Sequence, residues 1–411
     1  MHYPNWICCQ LGAREHYAIP RALHSRGVLA RLVTDFWLSP YPVFSPKIGS
    51  LLMRDLQGRY HPDLANSDVE GLNFSALKFE IMSRILGQYG WAQTMARNEW
   101  FQRKVVACLS SSPLSVVGSQ PILFAYSYAA RDIFRFAKAQ GRKTVLGQID
   151  PGPLEEEIVA GEVARERDLG ALWEPAPPGY WDLWREECDL ADRIVVNSKW
   201  SRSALEKAGV SPAKIRAIPL AYERPAETNI FKRSYPDEFD ETRPMRVLFL
   251  GQINLRKGVA RLLKAIRLLE NEPIEFQFVG PVQMSIPYNL RNNPRLRWFG
   301  AVSRSDVDTF YRSADVLIFP TLSDGFGLTQ LEAQAWSLPI VASRFCGEVV
   351  RDGVNGIVLD ELSPNAISTA LRSCVCQAAR LRSFAANAGL GEKFKLKTVA
   401  ENLLGLFDSV A

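Results

Sequence analysis

Four histidines and seven cysteines are all that this chain of 411 residues offers for soft-metal or thiol chemistry. The cysteines, at 8, 9, 108, 188, 346, 374 and 376, form an odd set with no Cys-x-x-Cys pair. That pattern argues against a disulfide framework and a zinc site and fits a reducing compartment. Long apolar runs are missing too. Nothing approaches the roughly 18 consecutive apolar residues that a spanning helix needs, and runs such as 247–250 and 316–319 are strand-length. The opening Met-His-Tyr-Pro-Asn-Trp-Ile-Cys-Cys-Gln-Leu-Gly lacks both a basic n-region and a long apolar core. It therefore predicts a first strand rather than an export signal, and with it a cytoplasmic location. No basic run interleaved with aromatics occurs, which counts against nucleic acid as a partner. Fixed-period repeats and low-complexity tracts are also lacking.

What is present has the balance of a folded globular protein, with 47% of residues apolar and 23% charged. At roughly 100–200 residues per domain the length implies two or three cores, and two comparable domains is the simplest division. The net charge of +5 is unevenly spread. Residues 1–150 carry 17 Lys and Arg against 10 Asp and Glu, whereas residues 151–192 carry 3 against 12. A basic front suits an anionic bilayer or a diphosphate-bearing substrate. Peripheral contact with the inner face of a membrane thus stands as an open reading beside that of an ordinary solvated surface.

The second half alternates short β-branched or aromatic runs with helical spacings. Strands are expected at 246–250, 274–279, 296–299, 316–319, 340–342 and 356–359. Val259, Leu262, Leu263, Ile266 and Leu269 mark a helix after the first of these. Ser303 with Asp306 gives a capping-box pattern before a helix through Tyr311, and 328–336 reads as another helix. Such βαβα order predicts a parallel sheet with helices on both faces. The first half repeats the rhythm less regularly, with strands at 7–11, 31–34, 122–126, 144–149 and 193–197 and a helix through Leu23 after a loop at Gly12. Residues 38–104 read as mostly helical or irregular, with an amphipathic aromatic stretch at 77–106. The fold class is α/β, with a first domain at 1–222, a Pro- and charge-rich linker at 223–244, a second domain at 245–390 and a tail at 391–411 containing a helix at 399–410.

One segment carries most of the functional signal: Phe319-Pro-Thr-Leu-Ser-Asp-Gly-Phe-Gly-Leu-Thr-Gln-Leu-Glu-Ala. A strand ends, a glycine-bearing loop follows, and a helix begins near Gly327. Free amides at a helix start suit an anion, and Gly325 and Gly327 let a ligand approach the main chain. Asp324 and Glu332, eight positions apart, can border one pocket at the carboxyl end of a parallel strand. An anion seat beside two hydroxyl-accepting carboxylates describes a ligand with phosphate and polyol parts, as in a nucleotide sugar. The complementary piece is Gly251-Gln-Ile-Asn-Leu-Arg-Lys-Gly258, again directly after a strand. Arg256 and Lys257 there are permanent donors for a diphosphate, and their effect grows as the leaving group gains charge.

These residues resemble the retaining glycosyltransferases of family four, the group-one glycosyl transferases, whose fold is GT-B. The resemblance rests on GQINLRKG at 251–258, FPTLSDGFGLTQLEAQAWSLPIVAS at 319–343 and GEVVRDGVNGIVL at 347–359, and more loosely on 12–27 and 191–223. It implies two Rossmann-like domains with parallel sheets facing across a cleft, and a carboxyl-terminal helix that packs back on the first domain. Glu332 is implied to hold ribose hydroxyls, and Asp324 sugar hydroxyls. Amides of Gly325, Phe326, Gly327, Leu328 and Thr329 would surround sugar and phosphate, Lys257 would hold the diphosphate, and Gly12 would face the donor phosphates beside Gly251 and Gln252. The implied reaction is transfer to an acceptor hydroxyl with retention by front-face attack, without metal, cofactor or covalent nucleophile. The implied partners are a nucleotide-sugar donor and a sugar or lipid-linked acceptor.

Three positions depart from the family pattern. Asp324 stands where Glu is usual, Gln252 where an Arg is common, with Arg256 as its candidate replacement. The strand end where many members carry a His reads Gly147-Gln-Ile-Asp-Pro-Gly. Gln148, Asp150 and His16 are the candidates for that place, against readings of turn chemistry for Asp150 and a surface or packed residue for His16. Glu155-Glu156-Glu157 reads as a solvated helix start, and the aromatics of 77–101, including Trp91 and Trp100, as core rather than lipid or acceptor contacts. The departures motivate two rivals: a non-catalytic nucleotide-sugar-binding protein and a nucleotide-sugar epimerase. Release of nucleoside diphosphate separates the first from a transferase, and a new sugar nucleotide formed without acceptor marks the second.

Overall fold

A computed structural model describes residues 3–38, 58–111 and 120–408. The first sheet contains β1 (Trp6–Gln10), β2 (Leu29–Thr34), β3 (Val69–Gly71), β4 (Ile122–Tyr126), β5 (Thr144–Gly147), β6 (Arg193–Val196) and β7 (Ile215–Ala217), in the order β3-β2-β1-β4-β5-β6-β7. The second contains β8 (Met245–Leu250), β9 (Ile274–Val279), β10 (Leu296–Gly300), β11 (Val316–Phe319), β12 (Ile340–Ser343) and β13 (Gly356–Leu359), in the order β10-β9-β8-β11-β12-β13. All neighbouring strands in both sheets run parallel. Central strands β1, β4 and β11 are buried at every residue, as strands covered by helices on both faces must be. These are two Rossmann-like domains, as the βαβα rhythm predicts. The edge strands β3 and β7 have no counterpart among the expected strands, because three residues are too few to show a period.

Each sheet reverses its order once, between β1 and β4 and between β8 and β11. The crevice beyond the carboxyl ends of such strands is where open α/β sheets bind ligands. It is also where Gly12, the loop after Gly251 and the loop after Phe319 emerge.

The expected linker at 223–244 lacks an apolar period, yet from Phe231 onward it lies folded on the second domain. The Arg233 guanidinium donates to the carbonyls of Tyr311, Ala314, Trp336 and Ser337, groups at the ends of two helices that have no intrahelical partner. Arg243 forms a two-pronged pair with Asp315 at 2.7 and 2.8 Å. Near the chain's end, the helix Leu396–Leu404 packs Val399, Ala400 and Leu403 into the core cluster that holds Trp6, Tyr17 and Leu23. Residues 409–411, in the tail, and residues 39–57, in the irregular stretch, lie outside the described residues. At the start of the helix Arg304–Ser313, Ser303 Oγ bonds the Asp306 carboxylate at 2.7 Å instead of a backbone amide, so the capping box is not formed. All seven cysteines carry free thiols.

Candidate active site

The second domain's half of the crevice is two loops stitched together. Leu322 N donates to Arg256 O at 2.8 Å, tying the loop after β11 to the loop after β8. Gly258 makes this possible. Its φ is +72°, and a Cβ there would stand 1.8 Å from the Pro320 carbonyl oxygen. The junction brings Lys257 Nζ into an ion pair with Asp324, both side chains largely buried, and sets Lys257 5.2 Å from the Phe319 ring centroid. Arg256 donates to Ser323 O at 3.3 Å and stands 3.9 Å from Asp324. Burial opposes ionisation of Asp324, but Lys257 and Arg256 outweigh it and hold the carboxyl below its ordinary value.

Glu332 sits in the short helix Thr329–Ala335, with one oxygen accepting from Tyr311 OH at 2.6 Å. Burial pushes its pKa up. It borders a cavity of about 410 Å³ between the domains, which Leu250, Tyr222, Arg304, Asp308 and His16 also line.

On the first domain, Gly12 leaves β1 with φ +79° and its amide donates to Asp35 at 2.9 Å. Asp35 is fully buried and paired with Arg59 and Arg97. The chain then takes three consecutive left-handed residues, Glu15, His16 and Tyr17, with φ of 52°, 52° and 60°. Each costs about 1–3 kcal/mol, a strain that collects at functional sites. It turns His16 across the cleft to Arg304, with Nε2 2.6 Å from that guanidinium. Burial and Arg304 push its pKa down to about 4, so the ring is neutral at physiological pH. Beyond β5, Asp150 accepts from Tyr128 OH at 2.5 Å, Gln148 Nε2 at 3.1 Å and Gly152 N at 2.9 Å. Asp150 borders a cavity of about 740 Å³ over the ends of β1 and β4, rich in aromatic rings such as Trp91, Tyr126, Tyr128, Trp173 and Tyr180.

The two halves touch at the glycine loop. Trp200 Nε1 donates to Ser323 Oγ at 3.0 Å, Ser201 Oγ to Gly325 O at 3.2 Å, and a Cβ on Gly325 would lie 2.1 Å from Ile149 O.

With this geometry in view, the comparisons with known proteins agree. Residues 244–377 match the family model described as glycosyl transferases group 1. An uncharacterized glycosyltransferase of Methanocaldococcus jannaschii is 30% identical over 168 residues, 39% of this chain and 41% of that one. D-inositol 3-phosphate glycosyltransferase 2 of Catenulispora acidiphila is 27% identical over 223 residues, 49% of this chain and 52% of that one. The chain thus spans about half the length of the curated relatives it matches. In three dimensions the likeness extends over the whole molecule. Anabaena HepE, crystallised with UDP and glucose, superposes with a TM-score of 0.60 at 15% identity over 100% of both chains. Sucrose-phosphate synthase from Thermosynechococcus elongatus superposes with a TM-score of 0.66 at 16% identity over 98% of each. The fold is GT-B.

Within the second domain, Arg256, Lys257, Asp324 and Gly325 form one group, and Glu332 faces the adjoining interdomain cavity. Gln252 is exposed, its Oε1 accepting only a long 3.4 Å bond from Asn254, so Arg256 is the guanidinium beside Asp324. The Phe326 ring is buried against Gly347 and near Phe394, while its amide donates to Asp324. Gly327, Leu328 and Thr329 lead into a helix of only seven residues. His16 and Asp150 do not share a cavity: His16 lies with Glu332, and Asp150 with the aromatics. Gln148 is buried, with Trp184 Nε1 donating to it at 2.9 Å, and serves to position Asp150. Among the described residues one set of potential metal ligands comes together, His61, Asp63 and Glu223, and the Arg21 guanidinium already pairs with both acids.

The acidic helix start departs most from expectation. Glu155 is not solvated. It stands 3.6 Å from Arg256 across the cleft, with Oε2 buried and the Ser323 side chain beside it. Glu156 also turns inward, accepting from the Ala176 amide and Trp181 Nε1. The cause is position: the helix Pro153–Arg165 begins at the carboxyl end of β5, where its first turn faces the other domain. Burial pushes the Glu155 carboxyl up to about 8 against the pull of Arg256. A group raised this way contributes stability that is complete below its unfolded value near 4.5 and is lost as pH rises through 8. Glu155→Gln keeps the shape without the titration. Its Tm is expected to gain on the parent's steadily from about pH 5 to about pH 8.5. A pH-independent difference in calorimetry overturns this assignment.

Trp91 and Trp100 divide. Trp100 packs on Phe79 in the core, whereas Trp91 lines the aromatic cavity and donates to Glu174 O. Arg304 and Tyr311, the partners of His16 and Glu332, carry no sequence signal beyond their place on an ordinary amphipathic helix.

Proposed function

We propose that the protein is a retaining, metal-independent hexosyltransferase that moves a sugar from a nucleoside-diphosphate sugar to an acceptor hydroxyl. The observation that carries it is the convergence of Arg256, Lys257 and Asp324 at the switch point of one sheet, opposite the Asp150 cavity at the switch point of the other. Lys257 and Arg256 neutralise the departing diphosphate. Asp324 takes hydroxyls of the transferred sugar, and Glu332 those of the ribose in the interdomain cavity. His16, neutral and bonded to Arg304, orders the nucleotide side. Asp150 orients the acceptor hydroxyl, which attacks the face that the diphosphate leaves and passes its proton to the departing phosphate oxygen. No covalent nucleophile is needed. The aromatic cavity supplies flat apolar faces for an acceptor sugar ring.

UDP-sugars are the first donors to test, since the HepE complexes hold UDP, glucose and UDP-glucose. A thermal-shift screen of UDP, GDP, ADP and their sugar conjugates is expected to find one binder that stabilises by about 2.7 kcal/mol at 100 times its Kd. Nucleoside-diphosphate release and an unchanged anomeric configuration in the product complete the test. No shift with any nucleotide sugar overturns the reading. Saturable binding with neither transfer nor hydrolysis reduces the protein to a nucleotide-sugar-binding module.

A further inference from the structure

The helix Asn73–Ile85 packs Phe79 on the core but turns its other large apolar side chains outward. Its buried residues are Ala76 and Ser83, and the Ser83 hydroxyl has no partner. The opposite stripe, at i, i+3, i+7 and i+11, is Phe74, Leu77, Ile81 and Ile85, all exposed, with Phe74 at 92% and Ile85 at 71%. Leu86 and Tyr89 extend the stripe through the following turn, Tyr89 at 81% exposure. An apolar ridge of this kind on the water side of a helix marks a surface that something covers.

Two features identify the occupant. The exposed charges of this helix are Lys78 and Arg84, while its one acid, Glu80, is mostly buried and turned to Arg97 at 3.4 Å. The ridge therefore presents apolar side chains flanked by positive charge that has no ion-pair partner among the described residues, the chemistry that recognises anionic headgroups over hydrocarbon. The ridge is also continuous with a cavity mouth, since Tyr89 lies on both and Gly90, Trp91 and Thr94 follow along the rim.

We propose that this face seats the first domain on an anionic lipid bilayer. Phe74, Ile81 and Ile85 enter the headgroup boundary, and Lys78 and Arg84 meet the phosphates. Among the described residues no helix is long and apolar enough to cross a membrane, so the contact is a peripheral one. The seat itself does not depend on the transferase reading. Its consequence does: the cavity assigned to the acceptor then opens at the bilayer surface, where a lipid-linked acceptor reaches it.

The test is sedimentation of the full chain with vesicles of phosphatidylcholine containing phosphatidylglycerol, and with phosphatidylcholine alone. Binding to the anionic vesicles is expected to weaken as salt rises, and to fall about tenfold or more in Phe74→Glu/Ile85→Glu. Both positions are so exposed that circular dichroism and Tm should match the parent. Lys78→Glu/Arg84→Glu is expected to remove the preference for the anionic vesicles. Absence of vesicle binding, or equal binding by the Phe74→Glu/Ile85→Glu variant, overturns the proposal. So does a parent dimer in light scattering that this variant converts to monomer, which would make a second copy of the chain the occupant.

Discussion

Lys257→Met is expected to lower the rate of transfer by about two to three orders of magnitude, the cost of removing one preorganised donor to a developing anion. The way the side chain is held fits the proposed role. Its amide donates to Asn254 Oδ1 at 3.0 Å, and its ammonium lies 5.2 Å from the Phe319 ring centroid and pairs with Asp324. The same pairing complicates the experiment, because removing one partner of a buried pair leaves the other uncompensated, at a cost of up to about 3–5 kcal/mol. Arg256, 3.9 Å from Asp324, offsets part of it. The double variant Lys257→Met/Asp324→Asn separates the two effects. It removes the orphaned carboxylate, so Tm should recover toward the parent value while transfer stays low. The measurement is nucleoside-diphosphate release with saturating donor, alongside calorimetry. Transfer by the double variant within about threefold of the parent would remove Lys257 from the reaction, since a missing charge-assisted contact is worth more than that.

The distinction between what could and could not be read from the sequence has a physical basis in this molecule. The second domain is legible because its strands are runs of β-branched and aromatic residues, and because each functional loop directly follows one of them. Asp324 follows Phe319 by five positions and Lys257 follows Leu250 by seven, so the strand assignment already places both at one end of the sheet. Whatever depends on the opposing domain was not legible. Glu155 looks like an ordinary acid in the first turn of a helix, favoured there by the dipole, until Arg256 arrives from about a hundred residues away. His16 looks like a surface residue because nothing in Arg-Glu-His-Tyr announces three left-handed residues. The stretch 77–101 reads as core, yet Leu77, Ile81 and Tyr89 are exposed, for a related reason. Its spacing does show one apolar face, but periodicity reveals that a face exists and not which side the rest of the chain covers.

Closure of the cleft can be tested at a single atom. Gly325 Cα faces the backbone of the other domain, and a methyl group there would lie 2.1 Å from Ile149 O and 3.2 Å from Asp150 Cα. Neither neighbour is a flexible side chain that can swing away. Gly325 also lacks the positive φ that makes Gly258 and Gly327 intolerant of a side chain for local reasons. Gly325→Ala therefore leaves the second domain's own fold unstrained and pushes on the first domain alone. The expected result is a molecule whose domains are each intact but stand further apart, with the bonds from Trp200 to Ser323 and from Ser201 to Gly325 lengthened or lost. Small-angle scattering should show a larger radius of gyration than the parent's, and circular dichroism the same helix and strand content. The effect on chemistry should be large, since a displacement of about 1 Å between reacting groups can cost about a hundredfold. For the proposed transfer, closure also excludes the water that would compete with the acceptor. Loss should therefore appear chiefly in kcat for transfer, while donor binding to the second domain changes little and hydrolysis gains relative to transfer. If Gly325→Ala has the parent's radius of gyration and its rate, the contact between Gly325 and Ile149 plays no part in closing the cleft.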